Sequence, residues 1–489
     1  MADFSEPEAR LFIDGEFREA RSGKRFDNLN PATEEVYGTC ADAGVEEMEE
    51  AIAAAARAFE ETDWATNPEF RARVLQQLRD GLIKEQEHLR LQTVSEVGCP
   101  IQLTYGPQME SVLSDMQWVI DHLTNYEWEK EIGVHEFFGM KSQRLLIREP
   151  VGVVAAISPW NFPIQVTWAK TIPALAAGNT VVLKPAPDTP FHATFLAKVA
   201  AEYTDMPPGV LNVVNAEDPA EIGEVLTADP RVGLVSFTGS TAVGRRIMAN
   251  AAGTIKKVFL ELGGKSVNLF LDDADFASTL PSTMMTCIHS GQGCAITTRL
   301  LLPRSRYDEG IEIVKAAFEG VSYGDPLDPA NLQGPQISKR QQERVLGYIQ
   351  KGVEEGATLL VGGGKPAHLE KGFYVEPTLF GDVDNSMTIA QEEIFGPVLV
   401  AIPYEDDDDA VRIANDSIYG LSGAVTSADQ ERALDIARRI RTGTLGVNGG
   451  MWFGPDSPFG GYKQSGVGRE MGPLGFDEYL EVKTIGLRA

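Results

Sequence analysis

Short apolar runs alternate with amphipathic helical patterns through the middle of this chain, and this alternation limits the possible folds more than any other feature. Helical patterns, such as 190–203 and 242–252, separate the runs. Apolar runs without polar alternation are typical of strands buried on both faces of a sheet. Strands that alternate with helices form parallel βαβ units, so the sequence predicts a doubly wound α/β sheet. The runs occupy residues 151–157, 179–184, 210–214, 233–237 and 257–260.

A second α/β series follows the first. Its predicted strands are 267–271, 358–361 and 398–402, and its predicted helices lie near 307–318 and 339–355. The first third of the chain is mainly helical, after a small hairpin that turns at Asp14-Gly15. The helices predicted in that third are 45–60, 70–96 and 109–126.

Three further segments belong to neither series. Residues 134–149 and 478–487 both read as extended, and we expect them to pair with each other or, as edge strands, with another subunit. The acidic run 405–409 permits a metal site, but a solvated helix start is the stronger interpretation, because carboxylates suit a helix N-terminus.

Charge and composition exclude several classes of function. The 489 residues carry a net charge of −28, which opposes binding to nucleic acid or to an anionic membrane surface. The four cysteines are too scattered for a disulfide framework, and neither they nor the six histidines show metal-ligand spacing. The N-terminus lacks the pattern of a signal peptide, and no apolar stretch is long enough to span a membrane. Cytoplasm is therefore the expected compartment.

Cys294 ends the sequence His289-Ser290-Gly291-Gln292-Gly293-Cys294. Flanking glycines indicate a tight, exposed backbone, which suits a nucleophile. A catalytic thiol acts as its thiolate and needs a lowered pKa. Taken alone, however, a single cysteine is more often a small buried hydrophobe.

Glu261 ends an apolar run just before Gly263-Gly264-Lys265-Ser266. A carboxylate at a strand end can act as a general base, although a plain surface charge is the alternative. The tail of this segment imitates a phosphate-binding loop, but the first glycine of that motif would fall at Phe259.

Two more loops follow predicted strands. In Pro159-Trp160-Asn161-Phe162-Pro163, two prolines fix the turn, so the Asn161 amide suits an oxyanion hole or simply stabilises the turn. The segment 236–244, SFTGSTAVG, joins a strand to a helix, where backbone N–H groups bind phosphate, although it is not the G-x-G-x-x-G fingerprint.

Together these four segments resemble the aldehyde dehydrogenase superfamily, in matching order and over nearly the whole chain. The chain is most similar to the hydrolytic, oligomeric members. Each segment alone is weak evidence, but their combination is specific. The likeness extends to Leu183-Lys184-Pro185, to residues 392–397 (EEIFGP) and to residues 457–466 (SPFGGYKQSG).

The resemblance implies a fold of three parts. A Rossmann-like NAD(P)-binding domain comprises residues 1–129 and 150–260, and an α/β catalytic domain comprises 261–465. Residues 130–149 and 466–489 form a small β oligomerisation arm. The active site is expected in the cleft between the two α/β domains. A homo-oligomer is implied, with a tetramer favoured over a dimer.

The resemblance also implies roles for individual residues. Cys294 is the nucleophile that forms a thiohemiacetal and then a thioester, Asn161 contributes to the oxyanion hole, and Glu261 activates the water that hydrolyses the thioester. Phe453 and Ile296 line the substrate pocket, beside Met451 and Trp452, which favours a medium aliphatic or aromatic aldehyde. No metal is implied. The cofactor-binding residues are Trp160, Lys184, Gly239, Ser240, Gly244, Glu393 and Phe395.

The chain departs from the family pattern three residues after Lys184. Members strict for NAD often carry Glu there, whereas this chain has Pro187 followed by Asp188. A carboxylate would bind the adenosine 2′-hydroxyl and repel a 2′-phosphate, so NADP remains open. NAD is favoured, because the only nearby charge suited to repelling or accepting a phosphate is the acidic Asp188.

Two alternatives remain for the function. A cysteine-dependent thioesterase or acyltransferase would need a histidine base beside the thiol, and His289 is the nearest in sequence. A non-catalytic protein of the same fold is the second alternative, since a fold does not fix a function. The combined presence of Cys294, Glu261 and Asn161 argues against both.

Overall fold

The computed structural model describes residues 4–488. The strands, in chain order, are β1 (Leu11–Ile13), β2 (Glu16–Arg18), β3 (Arg25–Leu29), β4 (Val36–Ala41), β5 (Glu129–Phe137), β6 (Met140–Pro150), β7 (Val153–Ile157), β8 (Thr180–Lys184), β9 (Leu211–Val213), β10 (Val232–Thr238), β11 (Lys257–Glu261), β12 (Ser266–Phe270), β13 (Thr297–Pro303), β14 (Thr358–Val361), β15 (Thr378–Gly381), β16 (Val398–Tyr404), β17 (Gly423–Thr426), β18 (Gly446–Val447), β19 (Gly466–Val467) and β20 (Leu480–Arg488).

Helices connect most of these strands. The α-helices, in chain order, are α1 (Val45–Glu61), α2 (Pro68–Lys84), α3 (Gln86–Val97), α4 (Ile101–Thr104), α5 (Glu110–Thr124), α6 (Pro163–Ala176), α7 (Phe191–Tyr203), α8 (Pro219–Ala228), α9 (Thr241–Ala251), α10 (Phe276–Thr279), α11 (Tyr307–Glu319), α12 (Lys339–Glu354), α13 (Thr388–Gln391), α14 (Asp407–Asn415), α15 (Gln430–Arg439) and α16 (Gly472–Asp477). A 3₁₀ segment, Leu280–Gly291, leads to Cys294.

The first sheet has eight strands in the order β19-β11-β10-β7-β8-β9-β1-β2. Its five central strands, β11 to β9, are parallel, and all five were predicted from apolar runs. The chain moves outward from β7 to β9 and then crosses back to the other side of β7 for β10 and β11. The direction of winding therefore reverses between β7 and β10, which is where open α/β sheets bind ligands.

Side chains of the central strands pack on both faces of this sheet. In β7, Val154 faces one hydrophobic cluster, whereas Val153 and Ile157 face another. Leu183 and Val182 divide in the same way along β8. Because successive residues of a strand point to opposite faces, an uninterrupted apolar run is what a two-sided core requires.

The second sheet has seven strands in the order β14-β15-β16-β13-β12-β17-β18. All neighbouring pairs are parallel except the antiparallel pair β14–β15. The predicted strands and helices of the second α/β series are present, and the acidic run starts α14, capped by Asp406. Strands β13, β15, β17 and β18 were not predicted.

A third sheet stands apart, with the order β20-β6-β5 and antiparallel pairing throughout. The expected pairing between the two extended segments is therefore correct. The structure differs from the expected arm at 466–479, because β19 pairs with β11 in the first sheet. A Cβ at Gly466 would overlap the Leu260 carbonyl, so glycine permits this close approach. Only β20 of the C-terminal segment joins the third sheet.

Within residues 4–488, no helix combines the length and the hydropathy needed to cross a bilayer.

Candidate active site

The carboxyl ends of four parallel strands of the first sheet bring most of the predicted site residues together. Asn161 follows β7, Lys184 ends β8, Ser240 follows β10 and Glu261 ends β11. These strands are neighbours, in the order β11-β10-β7-β8, so their ends lie along one edge. The sequence motifs that carry these residues therefore form one continuous region, although they are separated by up to a hundred residues in the chain.

The loop that carries Cys294 has an unusual backbone. His289, Ser290 and Gly291 have φ values of 50°, 55° and 71°, in the left-handed region. A side chain at Gly291 would overlap the Gly396 carbonyl, so only glycine fits there. Gln336 Nε2 donates to the Ser290 carbonyl at 2.8 Å and to Ser290 Oγ at 2.7 Å. The buried amide contacts hold the strained turn in place.

Cys294 is partly exposed at the end of this loop, and the Glu261 carboxyl lies close to its thiol. Burial raises the pKa of the Cys294 thiol, and the Glu261 carboxylate raises it further. The sequence argument expected a lowered pKa. The structure shows the opposite, because an anionic partner, rather than a cation, lies against the sulfur. In this state the thiol is protonated.

Glu261 is buried at the end of β11, with 2% of its surface exposed. Burial raises the pKa of its carboxyl to about 8, with a further contribution from the nearby Glu470 and an opposing one from Lys170. One carboxylate oxygen, Oε1, has no hydrogen-bond partner within the described chain. Glu261 therefore has a free acceptor and a pKa suited to a base near neutral pH.

Asn161 is buried beside the Cys294 loop. Its Nδ2 donates to the Gln292 carbonyl at 3.0 Å, two residues before Cys294. Its own carbonyl accepts from Gln108 Nε2 at 2.9 Å and from His289 Nε2 at 2.8 Å. The amide thus reaches the nucleophile's loop, and one of its two N–H donors is left for another acceptor.

His289 does not form a cysteine–histidine pair. The Asn161 carbonyl can only accept, so Nε2 of His289 carries the proton, and Nδ1 is the basic nitrogen. Nδ1 is buried and has no hydrogen-bond partner among residues 4–488. Burial lowers the pKa of this imidazole to about 4. The titratable side chain that lies close to the Cys294 thiol is Glu261.

Sequence reasoning missed a buried ion pair near Glu261. Lys170 Nζ lies 2.9 Å from Glu470 Oε1, and both side chains are almost fully buried. The lysine also approaches Ser236 Oγ at 3.4 Å. A signal existed, because Lys170 is the only charged residue in α6. Its partner, 300 residues away, could not be identified from the sequence.

The cleft at the winding reversal has the features of a dinucleotide site. Ser158 Oγ and Thr238 Oγ1, at the ends of β7 and β10, are buried and have no partner within the described chain. Ser240 caps α9 by accepting from the Val243 N–H at 3.4 Å, and the N-terminus of this helix suits a phosphate. A Cβ placed on Gly244 would lie 2.6 Å from the Leu262 side chain. Glycine at this position therefore lets α9 pack closely on the sheet.

Both α/β units contribute to the walls of this cleft. The rings of Trp160 and Phe395 meet edge to face, with centroids 5.4 Å apart. Glu393 accepts from the Gly264 N–H at 2.9 Å, and burial raises the pKa of its carboxyl to about 7. Lys184 is buried and donates to the Pro185 carbonyl at 3.3 Å, and burial lowers its pKa to about 8.

The loop after Lys184 has a charged neighbour that the sequence argument about NAD and NADP did not include. Arg340, at the start of α12, lies 3.8 Å from Asp188 across the two α/β units. The sequence argument took Asp188 as the only nearby charge suited to repelling or accepting a phosphate. Arg340 could not be identified as its neighbour, because it is 152 residues away in the sequence. Its guanidinium is 84% exposed, so it is available to an anionic ligand.

The two predicted substrate-pocket residues lie in different surroundings. Phe453 lines an apolar pocket together with Trp168 and Met116. Ile296 is not among the residues that line this pocket. A Cβ placed on Gly293, the residue before Cys294, would lie 2.8 Å from Cδ1 of Ile296. Ile296 therefore packs against the loop that carries Cys294.

Comparison with known proteins shows the family to which the chain belongs. The family model described as "Aldehyde dehydrogenase family" matches residues 17–485. A 3-succinoylsemialdehyde-pyridine dehydrogenase from a Pseudomonas species is 40% identical over 489 residues, which cover 99% of each chain. A Mycobacterium tuberculosis aldehyde dehydrogenase, crystallised with NAD+, is 42% identical, with a TM-score of 0.93 and 97% coverage of each chain.

A betaine aldehyde dehydrogenase from Staphylococcus aureus, also crystallised with NAD+, is 34% identical with a TM-score of 0.95. The alignment covers 98% of this chain and 94% of that one. The family match spans almost the whole chain, and the relatives are similar over their full length. The chain belongs to the aldehyde dehydrogenase family.

Proposed function

We propose that this protein oxidises an aldehyde to a carboxylic acid, with NAD as the hydride acceptor and Cys294 as the nucleophile. The observation that carries the proposal is the closeness of the Cys294 thiol and the Glu261 carboxyl, in a cleft where the Asn161 amide reaches the same loop. A thiol, a base and an amide donor are the groups that acyl chemistry requires.

The first step is addition of sulfur to the aldehyde. The Cys294 thiol releases its proton to solvent, the thiolate adds to the carbonyl carbon, and the carbonyl oxygen becomes an oxyanion. The Asn161 amide and the Cys294 N–H stabilise this oxygen, each such donor contributing about 3 kcal/mol. A bound nicotinamide would supply the hydride acceptor, and loss of hydride from this carbon would leave a thioester on Cys294.

The second step is hydrolysis. Glu261 takes a proton from water, the oxygen attacks the thioester carbon, and the carboxylic acid leaves as the Cys294 thiolate is released. Family members that transfer the acyl group to coenzyme A tend to lack this base. Glu261 therefore supports water as the acceptor.

The residues of the cleft fit a dinucleotide. The N-terminus of α9, with Gly239, Ser240 and Gly244, would hold the pyrophosphate. Lys184 and Glu393 would bind ribose hydroxyls, and Trp160 and Phe395 would enclose the nicotinamide end. The relatives crystallised with NAD+ support NAD. Pro187 and the exposed Arg340 leave NADP as a second cofactor to test.

A cysteine-dependent thioesterase or acyltransferase is disfavoured by His289, whose basic nitrogen has no partner among the described residues. A non-catalytic role is disfavoured by the unpartnered oxygen of Glu261 beside the thiol.

We also propose that the protein is a homo-oligomer, a tetramer rather than a dimer, assembled through the third sheet. Several large apolar side chains of this sheet are exposed, which is unusual for a monomer. We also propose a cytoplasmic location, which is the compartment expected from the sequence. The exposed apolar residues include Val134, Phe137, Phe138, Met140 and Val482.

The test is a spectrophotometric assay of reduced nicotinamide with a panel of aldehydes, run separately with NAD and with NADP. We expect aldehyde-dependent signal, with NAD preferred. If NADP instead supports activity and this activity falls in Arg340→Gln, the Arg340 guanidinium binds the 2′-phosphate of NADP. Thioester hydrolysis without any nicotinamide requirement would favour the hydrolase alternative.

A further inference from the structure

The main-chain carbonyl of Asn161 accepts two hydrogen bonds from side chains outside its own loop. Gln108 Nε2 donates to it at 2.9 Å, and His289 Nε2 donates to it at 2.8 Å. A carbonyl oxygen has two lone pairs, so both of its acceptor positions are filled. All three residues are buried, which shields these bonds from competition with bulk water. The two donors therefore fix the direction of this carbonyl.

The two donors come from separate parts of the fold. Gln108 lies in the segment between α4 and α5, where its own N–H donates to the Leu103 carbonyl at 3.0 Å. His289 lies in the 3₁₀ segment that leads to the nucleophile. The ring of Phe162, the residue after Asn161, packs edge to face on the His289 imidazole, with centroids 5.3 Å apart. Asn161 is therefore the point where the helical part of the chain and the nucleophile's loop are joined.

The side chain of Asn161 is fixed at its other end. Its Nδ2 donates to the Gln292 carbonyl at 3.0 Å. Gln292 is itself held, because its Nε2 donates to the carbonyls of His289 and Pro335 at 3.1 and 3.2 Å. Its Oε1 accepts from the Ile337 N–H at 2.9 Å. A primary amide has two N–H groups in one plane, so fixing one of them directs the other.

Gln108 is an unfavourable residue for stability at its position. Its Oε1 is buried and has no hydrogen-bond partner within residues 4–488. A buried acceptor without a partner destabilises a folded chain, whereas a methionine of similar size would fill the space without this penalty. His289 shares the feature, since its buried Nδ1 also has no partner in the described part of the chain. Such residues are expected where function requires them, and what both supply is a donor.

We propose that Gln108 and His289 are positioning residues, which hold Asn161 so that its second N–H points at the carbonyl oxygen of the substrate. They act through Asn161 and do not touch the substrate. Donors of an oxyanion hole are effective because they are oriented before the reaction begins. A displacement of about 1 Å can lower a rate by about a hundredfold. This inference rests on the proposed attack of the Cys294 sulfur on a carbonyl carbon.

The test follows acylation of Cys294 by p-nitrophenyl acetate, without any nicotinamide. The sulfur attacks the ester carbonyl, an oxyanion forms, and p-nitrophenolate leaves while the acetyl group stays on sulfur. Gln108→Met removes one donor at similar volume. His289→Asn removes the other, because the shorter amide tolerates the φ of 50° but does not reach the Asn161 carbonyl. We expect each variant to slow the burst of p-nitrophenolate by about tenfold.

Alkylation of Cys294 by iodoacetamide is the matched reaction, because displacement of iodide by sulfur forms no oxyanion. The other three cysteines are buried, so Cys294 is the thiol that reacts. We expect Gln108→Met and His289→Asn to be alkylated at the native rate, to within about twofold. An equal loss in both reactions would indicate a damaged loop and would overturn the proposal.

Gln342→Met is the control variant. Gln342 is also a buried glutamine that donates to a main-chain carbonyl, that of Tyr374, at 2.8 Å. Its replacement removes the same kind of bond from a different place and should change neither acylation nor alkylation. A tenfold slower acylation in Gln342→Met, of about the size expected for Gln108→Met, would show that the effect is not specific to Asn161.

A double-mutant cycle with Asn161→Ala identifies the residue through which Gln108 and His289 act. Asn161→Ala keeps the main-chain carbonyl that accepts both hydrogen bonds, but it lacks the side-chain amide. Adding Gln108→Met to Asn161→Ala should therefore slow acylation by less than about twofold. A further loss of about tenfold in that background would contradict action through Asn161.

The ester also separates this inference from the proposed function. If acylation responds as expected but no aldehyde reduces a nicotinamide, the positioning role stands and the proposed function fails. If aldehydes are oxidised while Gln108→Met and His289→Asn are acylated at the native rate, the positioning role alone fails. A native protein that is alkylated by iodoacetamide but never acylated by the ester would contradict the oxyanion role of Asn161, and this inference with it.

Discussion

At the scale of single residues, the Cys294 thiol and the nearby Glu261 carboxyl form the centre of the site. Burial raises the pKa of Glu261 to about 8, so below that pH the carboxyl holds a proton and cannot accept one. We therefore expect kcat, where hydrolysis limits it, to rise with pH up to about 8 and then level off. A pH profile of kcat checks this, and a rate that falls over the same range would contradict it.

Replacing Glu261 separates the two halves of the reaction. Glu261→Gln keeps the shape of the side chain but removes the base, so acylation of Cys294 proceeds and hydrolysis stops. We expect a burst of about one reduced nicotinamide per active site, followed by turnover slower by about a hundredfold or more. Stopped-flow absorbance measures the burst, and mass spectrometry detects the acyl enzyme. Full multiple-turnover activity would exclude the proposed role.

Sequence reasoning located Cys294, Glu261 and Asn161 because each lies in a local motif. It could not locate the Lys170–Glu470 ion pair or the contact between Arg340 and Asp188. Those features depend on contacts between residues hundreds of positions apart, and nothing in the local sequence specifies such a contact. The raised pKa of the Cys294 thiol was missed for the same reason, since it reflects the tertiary neighbour Glu261.

At the scale of elements, Glu96 of α3 fixes the start of α7. Its Oε1 accepts from the Phe191 N–H at 2.6 Å, and its Oε2 has no partner within the described chain. The side chain is fully buried, which raises the pKa of its carboxyl to about 8. The loop just before α7 carries Pro187 and Asp188, so Glu96 positions a segment of the cofactor cleft.

This buried carboxyl predicts a dependence of stability on pH. The folded state holds the proton up to about pH 8, whereas the unfolded chain releases it near its ordinary pKa of about 4.3. Stability from this group is complete below the unfolded pKa and is lost as pH rises through the folded pKa. Glu96→Gln removes the loss, and its amide oxygen can still accept from Phe191.

We therefore expect Glu96→Gln to have a higher Tm than the native protein at about pH 9 and a similar Tm at about pH 5. Differential scanning fluorimetry at both pH values measures this. The exposed Glu60→Gln serves as control and should not change the pH dependence. A variant less stable at high pH would show that Glu96 is charged in the folded state.

Pattern reading predicted most strands of the first sheet because each is a continuous apolar run. It was weaker where runs are short or contain polar residues, as in β13, which begins with Thr297, Thr298 and Arg299. It also merged α2 and α3 into one helix. The two are separated only at Glu85, where neither glycine nor proline marks the break.

At the scale of the whole molecule, the third sheet is the surface that the single chain leaves uncovered. Phe138, in the turn between β5 and β6, is 86% exposed, and Val482, on β20, is 62% exposed. Because burying such side chains stabilises an interface, we expect Phe138→Glu combined with Val482→Glu to reduce the assembly to a smaller species. Light scattering coupled to gel filtration measures the mass.

Ile255→Glu provides the control for that experiment. Ile255 is 91% exposed but lies after α9, far from the arm in sequence, so its replacement should leave the mass unchanged. An arm variant with unchanged mass would contradict assembly through this sheet. The division of the chain into a cofactor unit, a catalytic unit and an arm, deduced from the family resemblance, stays a prediction that such variants help to test.

The central claim is that Cys294 performs the oxidation of an aldehyde with a nicotinamide cofactor. The most direct measurement compares reduced-nicotinamide formation by the native protein and by Cys294→Ala, with cofactor binding verified for both by tryptophan fluorescence. We predict aldehyde-dependent signal from the native protein and none from Cys294→Ala, which still binds the cofactor. An undiminished rate in Cys294→Ala would contradict the assignment of the nucleophile and the account built on it.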